Sequence, residues 1–228
     1  MAGTLYLVAT PIGNLGDLTT RAVEVLRAVD LIAVEDTRHT GLLLQRHGID
    51  TPMTSFYDAV ERTKAAELVQ RLVAGAQIAL VSDAGTPGIA DPGGSLIPQA
   101  ITAGIPVVAI PGPCAAIAAL IVSGLPMDRF LFEGYLPVKP GPRRRRLEAL
   151  KEEPRTIVCY ETPHRLVKSL AAIHEALGDV PMSVARELTK SFEEVRRGTV
   201  GEHRRHFQVH APRGEFVLVF RAQPEEPA

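Results

Sequence analysis

Hydrophobic positions in the first half of the chain come as short solid runs, separated by stretches where apolar and polar residues alternate with helical spacing. The runs Leu5–Ala9, Leu31–Val34, Ile78–Val81 and Val107–Ile110 predict strands. Between them, Leu18–Ala28, the segment around Leu42–His47, Ala59–Ala74 and Leu96–Ala103 predict helices. In the third of these, Ala65, Leu68, Val69, Leu72 and Val73 share one stripe. Strands alternating with helices in this way are the pattern of a parallel α/β sheet.

Pro111-Gly112-Pro113 then breaks the chain, a helix is predicted over Cys114–Val122, and Gly124-Leu125-Pro126 breaks it again. The first break divides the chain into an N-terminal α/β domain, residues 1–112, and a C-terminal α/β domain, residues 113–228. In the second half, strands are predicted near Phe130–Glu133, Thr156–Tyr160, Met182–Arg186 and Glu215–Phe220, and helices over Arg143–Lys151 and Leu166–Leu177. Ser191–Val200 is polar yet β-prone, which makes this half a mixed sheet. Gln223–Ala228 reads as a disordered tail. The fold class is α/β, in two domains that each carry a central, mainly parallel or mixed sheet.

Composition supports cores of this kind, with 46% hydrophobic residues in 228. A net charge of −1 announces no nucleic-acid binder, but the halves differ in sign. Residues 1–110 hold 7 Lys and Arg against 11 Asp and Glu, whereas residues 111–228 hold 18 against 15. Basic groups cluster at Arg143–Arg146, Arg196-Arg197 and Arg204-Arg205, which form either a phosphate-binding surface or solvated helix faces. Cys114 and Cys159 are far apart in sequence and support neither a disulfide framework nor a zinc site. No apolar run is long enough to span a bilayer, and MAGTLYLVATP lacks a basic leader, so a cytoplasmic protein with no membrane partner is expected.

The most unusual stretch is Ser82-Asp83-Ala84-Gly85-Thr86-Pro87-Gly88-Ile89-Ala90-Asp91-Pro92-Gly93-Gly94, directly after an apolar strand. Its 4 glycines and 2 prolines bring bare backbone close to a ligand at the carboxyl end of a sheet strand. Tight turns use the same residue types but rarely need 13 of them. Two more Gly/Pro breaks, Ala9–Gly16 and Ile110–Ala115, fall at the same edge and complete a pocket wall. GxGxxG, GxxxxGK[ST] and HExxH are absent, which argues against a dinucleotide enzyme, a P-loop NTPase and a zinc hydrolase. Polar candidates are Glu35–Thr40, either a capped helix start or a substrate contact, and the strand ends Tyr160–Arg165 and Ala185–Lys190. No His/Cys cluster has metal-ligand spacing, so no metal is expected.

The segments GTLYLVATPIGNLGDLTTRA, VEDTR, SDAGTPGIADPG, PGPCA, CYETPHR, ARELTK and RGEFVLV run from Gly3 to Val219. In combination they resemble the tetrapyrrole (corrin/porphyrin) methylase superfamily, and within it the ribosomal small subunit methyltransferase I group. Tetrapyrrole enzymes typically show a GAGPGDP-like first loop and a GDP motif in the third. Here the first loop is ATPIGNLGD, and Gly85-Thr86-Pro87 stands in the position of GDP, which favours the RNA group. Members of that group often continue past the final strand with a small extra region, whereas this sequence stops at Ala228.

The resemblance implies S-adenosylmethionine in the cleft between the two domains, and methyl transfer to the ribose 2′-hydroxyl of a cytidine in the decoding region of small-subunit (16S) ribosomal RNA. It further implies RNA presented within the 30S particle, and a homodimer. Cys114–Val122 and the strand at Phe130 are interface or core. Carried onto matching positions, the cofactor contacts are Pro11, Gly85, Thr86, Pro87, Ile89, Cys114, Ala115, Tyr160, Leu188, Gly214 and Glu215. A ribose hydroxyl needs a base, or a cation beside its developing charge. Asp36, Glu187 and Lys190 are the candidates, with Arg38 and Arg186 as phosphate clamps. A small-molecule tetrapyrrole methylase and a non-catalytic ligand-binding α/β module are the alternative functions.

Overall fold

The computed structural model describes residues 2–57 and 59–223; the tail expected at Gln223–Ala228 lies, beyond Gln223, outside them. The chain forms two compact units, Met1–Cys114 and Ala115–Ala228, so the division falls within the Pro-Gly-Pro-Cys-Ala segment, slightly later than the break at residue 112.

The first unit runs β1 (Leu5–Val8), α1 (Thr20–Ala28), β2 (Leu31–Val34), α2 (Thr37–Arg46), β3 (Met53–Ser55), α3 (Glu61–Val73), β4 (Ile78–Val81), α4 (Leu96–Thr102) and β5 (Val107–Ile110). The strands pair in the order β3-β2-β4-β1-β5, every pair parallel, with Leu5 opposite both Ile78 and Val107. β2 and β4 are buried at every residue because helices cover both faces. Along β4, Ile78 and Leu80 join Leu68, Leu72 and Leu96 in one core, while Ala79 and Val81 face Leu26, Ile32 and Leu44 in another. An all-parallel sheet sends every strand's carboxyl end to the same edge, and that edge carries the glycine-rich loops.

The second unit runs α5 (Ala115–Ile121), β6 (Phe130–Tyr135), α6 (Pro140–Ala149), β7 (Thr156–Glu161), α7 (Pro163–Leu177), β8 (Pro181–Arg186), β9 (Glu194–Thr199), α8 (Val200–Val209) and β10 (Phe216–Phe220). Its sheet is ordered β6-β7-β10-β8-β9, parallel at β6·β7 and antiparallel elsewhere. A single core gathers Leu147, Ile157, Leu166, Leu170, Val184, Phe207, Phe216 and Phe220.

Two elements were not expected. β3 is three residues long and two of them are polar, too short for an apolar run to mark it. α8 carries 2 arginines and 2 histidines, but its capping box, Thr199 with Glu202, is a legible start signal: each side chain receives the other residue's backbone N–H.

Candidate functional site

β4, β1 and β5 are neighbours in the first sheet, so the loops that follow them leave side by side. Thr10 and Gly85 exchange backbone hydrogen bonds of 2.8 and 3.0 Å, an isolated bridge between the first and second of these loops. The Thr10 hydroxyl donates to Ser82 O at 2.9 Å, the Ser82 hydroxyl to Gly85 O at 3.2 Å, and the Thr86 hydroxyl to Pro113 O at 3.1 Å. The three loops are thereby stitched into one wall.

Gly85 holds φ +95°, where a side chain is strained, and a Cβ there would stand 3.4 Å from Ile12 Cγ2. A Cβ on Gly112 would meet Ala9 Cβ at 2.9 Å, so the loop after β5 packs closely on the end of β1. Pro11, Ile12 and Pro87 are buried, while Ile89 is exposed. From Ala84 to Ala90 the wall has no charged side chain. That chemistry suits a neutral ring and a thioether-like chain better than a pyrophosphate.

Two carboxylates fix this edge. Asp83 Oδ1 accepts the Asp36 N–H at 3.1 Å, tying β2 to the glycine loop. Glu61, at the start of α3, accepts from Gly93 N–H, Ser95 N–H and the Ser95 hydroxyl at 3.2, 2.7 and 2.9 Å. Desolvation alone would raise the Glu61 pKa; the Ser95 and Gly93 hydrogen bonds outweigh it and hold the carboxyl below its ordinary range. Glu61 closes the far end of the loop, and its partners, more than 30 residues away in sequence, left no local signal.

Asp36 is the N-cap of α2, accepting from the Arg38 N–H at 2.8 Å, and its side chain pairs with the Arg38 guanidinium at 2.9 Å. Hydrogen bonding from that guanidinium lowers its pKa to about 2. Such a carboxylate is a poor proton acceptor. The capped helix start is present, and Arg38 is 91% exposed.

In the second unit, Tyr160 at the end of β7 sets its hydroxyl 3.3 Å from the Ala116 N–H, at the start of α5. Phe132 and Tyr135 pack edge-on against its ring, at 5.1 and 5.7 Å between centroids. Tyr160 and Ala115, separate in sequence, therefore adjoin. Glu187, Lys190, Gly214 and Glu215 form a second group. Lys190 Nζ donates to Glu187 Oε1 at 2.9 Å and to Glu215 Oε2 at 2.7 Å, and the Glu215 N–H donates to Glu187 Oε1 at 3.0 Å. A Cβ on Gly214 would collide with the Glu187 side chain. Glu187 and Thr189 hold φ of +50° and +67° on either side of buried Leu188, a strained turn of the kind that clusters at functional sites.

Desolvation pulls the Lys190 pKa down, but its bonds to Glu215 and Glu187 reverse the sign and raise it. For Glu187, desolvation acts upward and the bonds from Lys190 and Glu215 bring it below its ordinary value. Each partner's shift favours the ionised form of the pair. Arg186 lies beside this group, with its guanidinium 3.3 Å from Phe192 O and 3.6 Å from Glu194.

The Arg143–Arg146 cluster is not a uniform basic face. Arg143 is 6% exposed and donates to the buried Ser169 hydroxyl at 3.3 Å. Ser169 in turn donates to Glu161, which is paired with Arg165 at 3.3 Å. Arg146 makes a two-pronged pair with Glu133 at 2.5 and 2.6 Å. Only Arg144 and Arg145 stand fully at the surface. A groove of about 580 Å³ between α6 and α7 is bordered by Arg144 and Lys168, with Ala171, Ala172 and Ala176 on its α7 side. Arg197 donates to Val122 O and Arg196 pairs with Glu194, so those two are engaged as well. On α5, Ala116, Ala119 and Leu120 are buried while Ile117 and Ile121 face outward. Among the described residues no cluster of three or more His, Cys, Asp or Glu is placed to hold a metal, and no helix is long and apolar enough to cross a membrane.

The family model for tetrapyrrole (corrin/porphyrin) methylases matches residues 4–203, and the chain belongs to that family. Its relatives include the ribosomal RNA small subunit methyltransferase I of Synechocystis sp., 54% identical over 226 residues that span 98% of this chain and 81% of that one. The protein of the same name from Escherichia coli O157:H7 is 56% identical over 201 residues, 88% of this chain and 70% of the relative. In fold, the chain is similar to the uroporphyrin-III C-methyl transferase of Thermus thermophilus complexed with S-adenyl homocysteine. The TM-score is 0.65 at 16% identity, covering 96% of this chain and 98% of that one.

Proposed function

We propose that this chain is an S-adenosylmethionine-dependent methyltransferase that modifies the ribose 2′-hydroxyl of a cytidine in the decoding region of small-subunit ribosomal RNA. The observation that carries the reading is identity above 50%, over most of both chains, to proteins named for methylating that RNA. The same segments that form the stitched loops and the Lys190 group are those in which the sequence resembles the RNA branch.

The residues fit the cofactor. The bare, uncharged wall around Gly85 accepts an adenine and the chain that carries the sulfonium. Pro11, Gly85, Thr86, Pro87, Ile89 and Cys114 are its proposed contacts; Ala115, Tyr160, Leu188, Gly214 and Glu215 are contacts that the family resemblance implies. When bound, the sulfonium supplies an already activated methyl group. The protein's remaining work is alignment of the hydroxyl, whose proton passes to solvent water as the oxygen is methylated. Lys190, held cationic, stabilises negative charge developing on the ribose oxygen. Glu187 orients Lys190. Asp36 and Arg38 form a pair that meets the substrate, with Arg38 steering a phosphate; Arg186, the other phosphate clamp the resemblance implies, is engaged with Glu194 and Phe192 O.

Flanking phosphates meet Arg144, Arg145 and Lys168, exposed basic residues of α6 and α7. The substrate is RNA within the 30S particle, the enzyme is a cytoplasmic homodimer, and Ile117 and Ile121 belong to its interface. Radiolabelled methyl transfer to undermodified small subunits tests the reading, with naked RNA and a porphyrinoid as controls. Label on the subunit's RNA supports it. Label on the porphyrinoid alone replaces it with the tetrapyrrole reading, and binding without turnover replaces it with a non-catalytic module.

A further inference from the structure

The turn between β8 and β9 carries an aromatic ring that the fold does not use. Phe192 is 74% exposed, the most exposed aromatic side chain among the described residues, whereas Phe56, Phe216 and Phe220 are fully buried. Its backbone is nonetheless held on both sides. Arg186 Nη2 donates to Phe192 O at 3.3 Å, the Glu193 N–H to Lys190 O at 3.1 Å, and the Thr189 N–H to Glu193 Oε2 at 2.6 Å. With Glu187 and Thr189 in left-handed conformations, the turn is a fixed mount that holds an apolar ring toward water.

The surrounding charges decide what that ring can meet. Glu187 and Glu215 are paired with Lys190, and Glu194 lies between Arg186 and Arg196. With cations and carboxylates engaged with one another, the tip gives a phosphate little purchase. What it offers is a π-face. Every base has a matching one, and single-stranded RNA is gripped by aromatic side chains on which unpaired bases stack. The ring sits two residues from Lys190, the cation proposed to act on the ribose oxygen.

We infer that Phe192 is a stacking platform for an unpaired base of the RNA substrate, beside the nucleotide whose ribose is methylated. It is a positioning residue: it fixes where the strand lies and takes no part in the chemistry. The inference rests on the RNA-methyltransferase reading.

The sequence contains no tryptophan, so Phe192→Trp installs a single fluorophore at the proposed contact. Titrating this variant with a single-stranded oligoribonucleotide should quench the indole emission as the base stacks. In parallel, Phe192→Ala should raise KM for undermodified small subunits about tenfold or more, with kcat and S-adenosylmethionine affinity unchanged, and Phe192→Trp should restore KM. Unchanged thermal stability of both variants separates this from a folding effect. Emission unmoved by RNA, or an unchanged KM in Phe192→Ala, overturns the inference. Emission that responds to protein concentration and not to RNA also overturns it, and assigns the ring to contact with a second copy. Failure of the wild-type enzyme to methylate RNA sinks the broader reading instead, and the fluorescence titration then decides the inference alone.

Discussion

Thr10 and Gly85 exchange both backbone hydrogen bonds, at 2.8 and 3.0 Å, although one follows β1 and the other β4. The pairing fixes the two loops relative to each other before any ligand arrives. It also requires Gly85 to stay at φ +95°. Gly85→Ala should therefore cost about 1–2 kcal/mol of stability through backbone strain. Its larger effect should be on cofactor affinity, lowered at least tenfold in a calorimetric titration. An affinity unchanged in a stably folded variant removes Gly85 from the site.

Tyr160→Phe deletes the hydroxyl that meets the Ala116 N–H and leaves the ring packing intact. A loss of about 1 kcal/mol is expected from urea unfolding. Cofactor affinity should fall several-fold in the same variant, because the start of α5 loses its anchor.

The Lys190 group makes a pH-dependent contribution whose sign follows from its two shifts. Glu187 lies below its ordinary 4.5, so its contribution is complete above that pH and is lost as pH falls through the folded value. Lys190 lies above its ordinary 10.5, so its contribution is complete below that pH and is lost only as pH rises through the folded value. Between these limits the stabilisation is flat. Lys190→Met should lower stability there by about 1–2 kcal/mol, with the difference from wild type shrinking in acid. Methyl transfer should fall about a hundredfold with little change in cofactor affinity. A difference in unfolding free energy that does not shrink as pH falls below 4.5 contradicts the ion-pair account.

The arginines of α6 should separate by role. Arg143→Ala removes a buried guanidinium and the hydrogen bond it donates to Ser169, and should destabilise the fold by about 2–3 kcal/mol. The pair Arg144→Ala and Arg145→Ala should leave the melting temperature nearly unchanged, and should reduce the salt slope of RNA binding by about 1–2. An unchanged slope takes α6 out of the RNA surface.

Most strands were legible because burial on both faces writes itself into the sequence: Leu31–Val34 and Ile78–Val81 are uninterrupted apolar runs, and the observed strands match them residue for residue. The glycine loop was legible for a related reason, since Gly85 and Gly93 are required by backbone geometry that other residues rarely adopt. What sequence withheld was long-range partnership. Nothing near Glu61 announces Gly93 and Ser95, and nothing near Lys190 announces Glu215. The four consecutive arginines misled for the same reason: a charge run reads as surface, while Ser169 and Glu133, which draw two of them in, are remote in sequence. α8 was missed because its charged residues hide a face carrying Val200, His203 and Phe207, all buried.

Isothermal titration with S-adenosyl homocysteine, the demethylated product, tests the central claim most directly. The loops around Gly85 predict one site per chain with a Kd of about micromolar order, worth about 8 kcal/mol. Properly folded protein that releases or absorbs no heat with this ligand at about a hundredfold higher concentration contradicts the claim that these loops were built to hold a methyl donor.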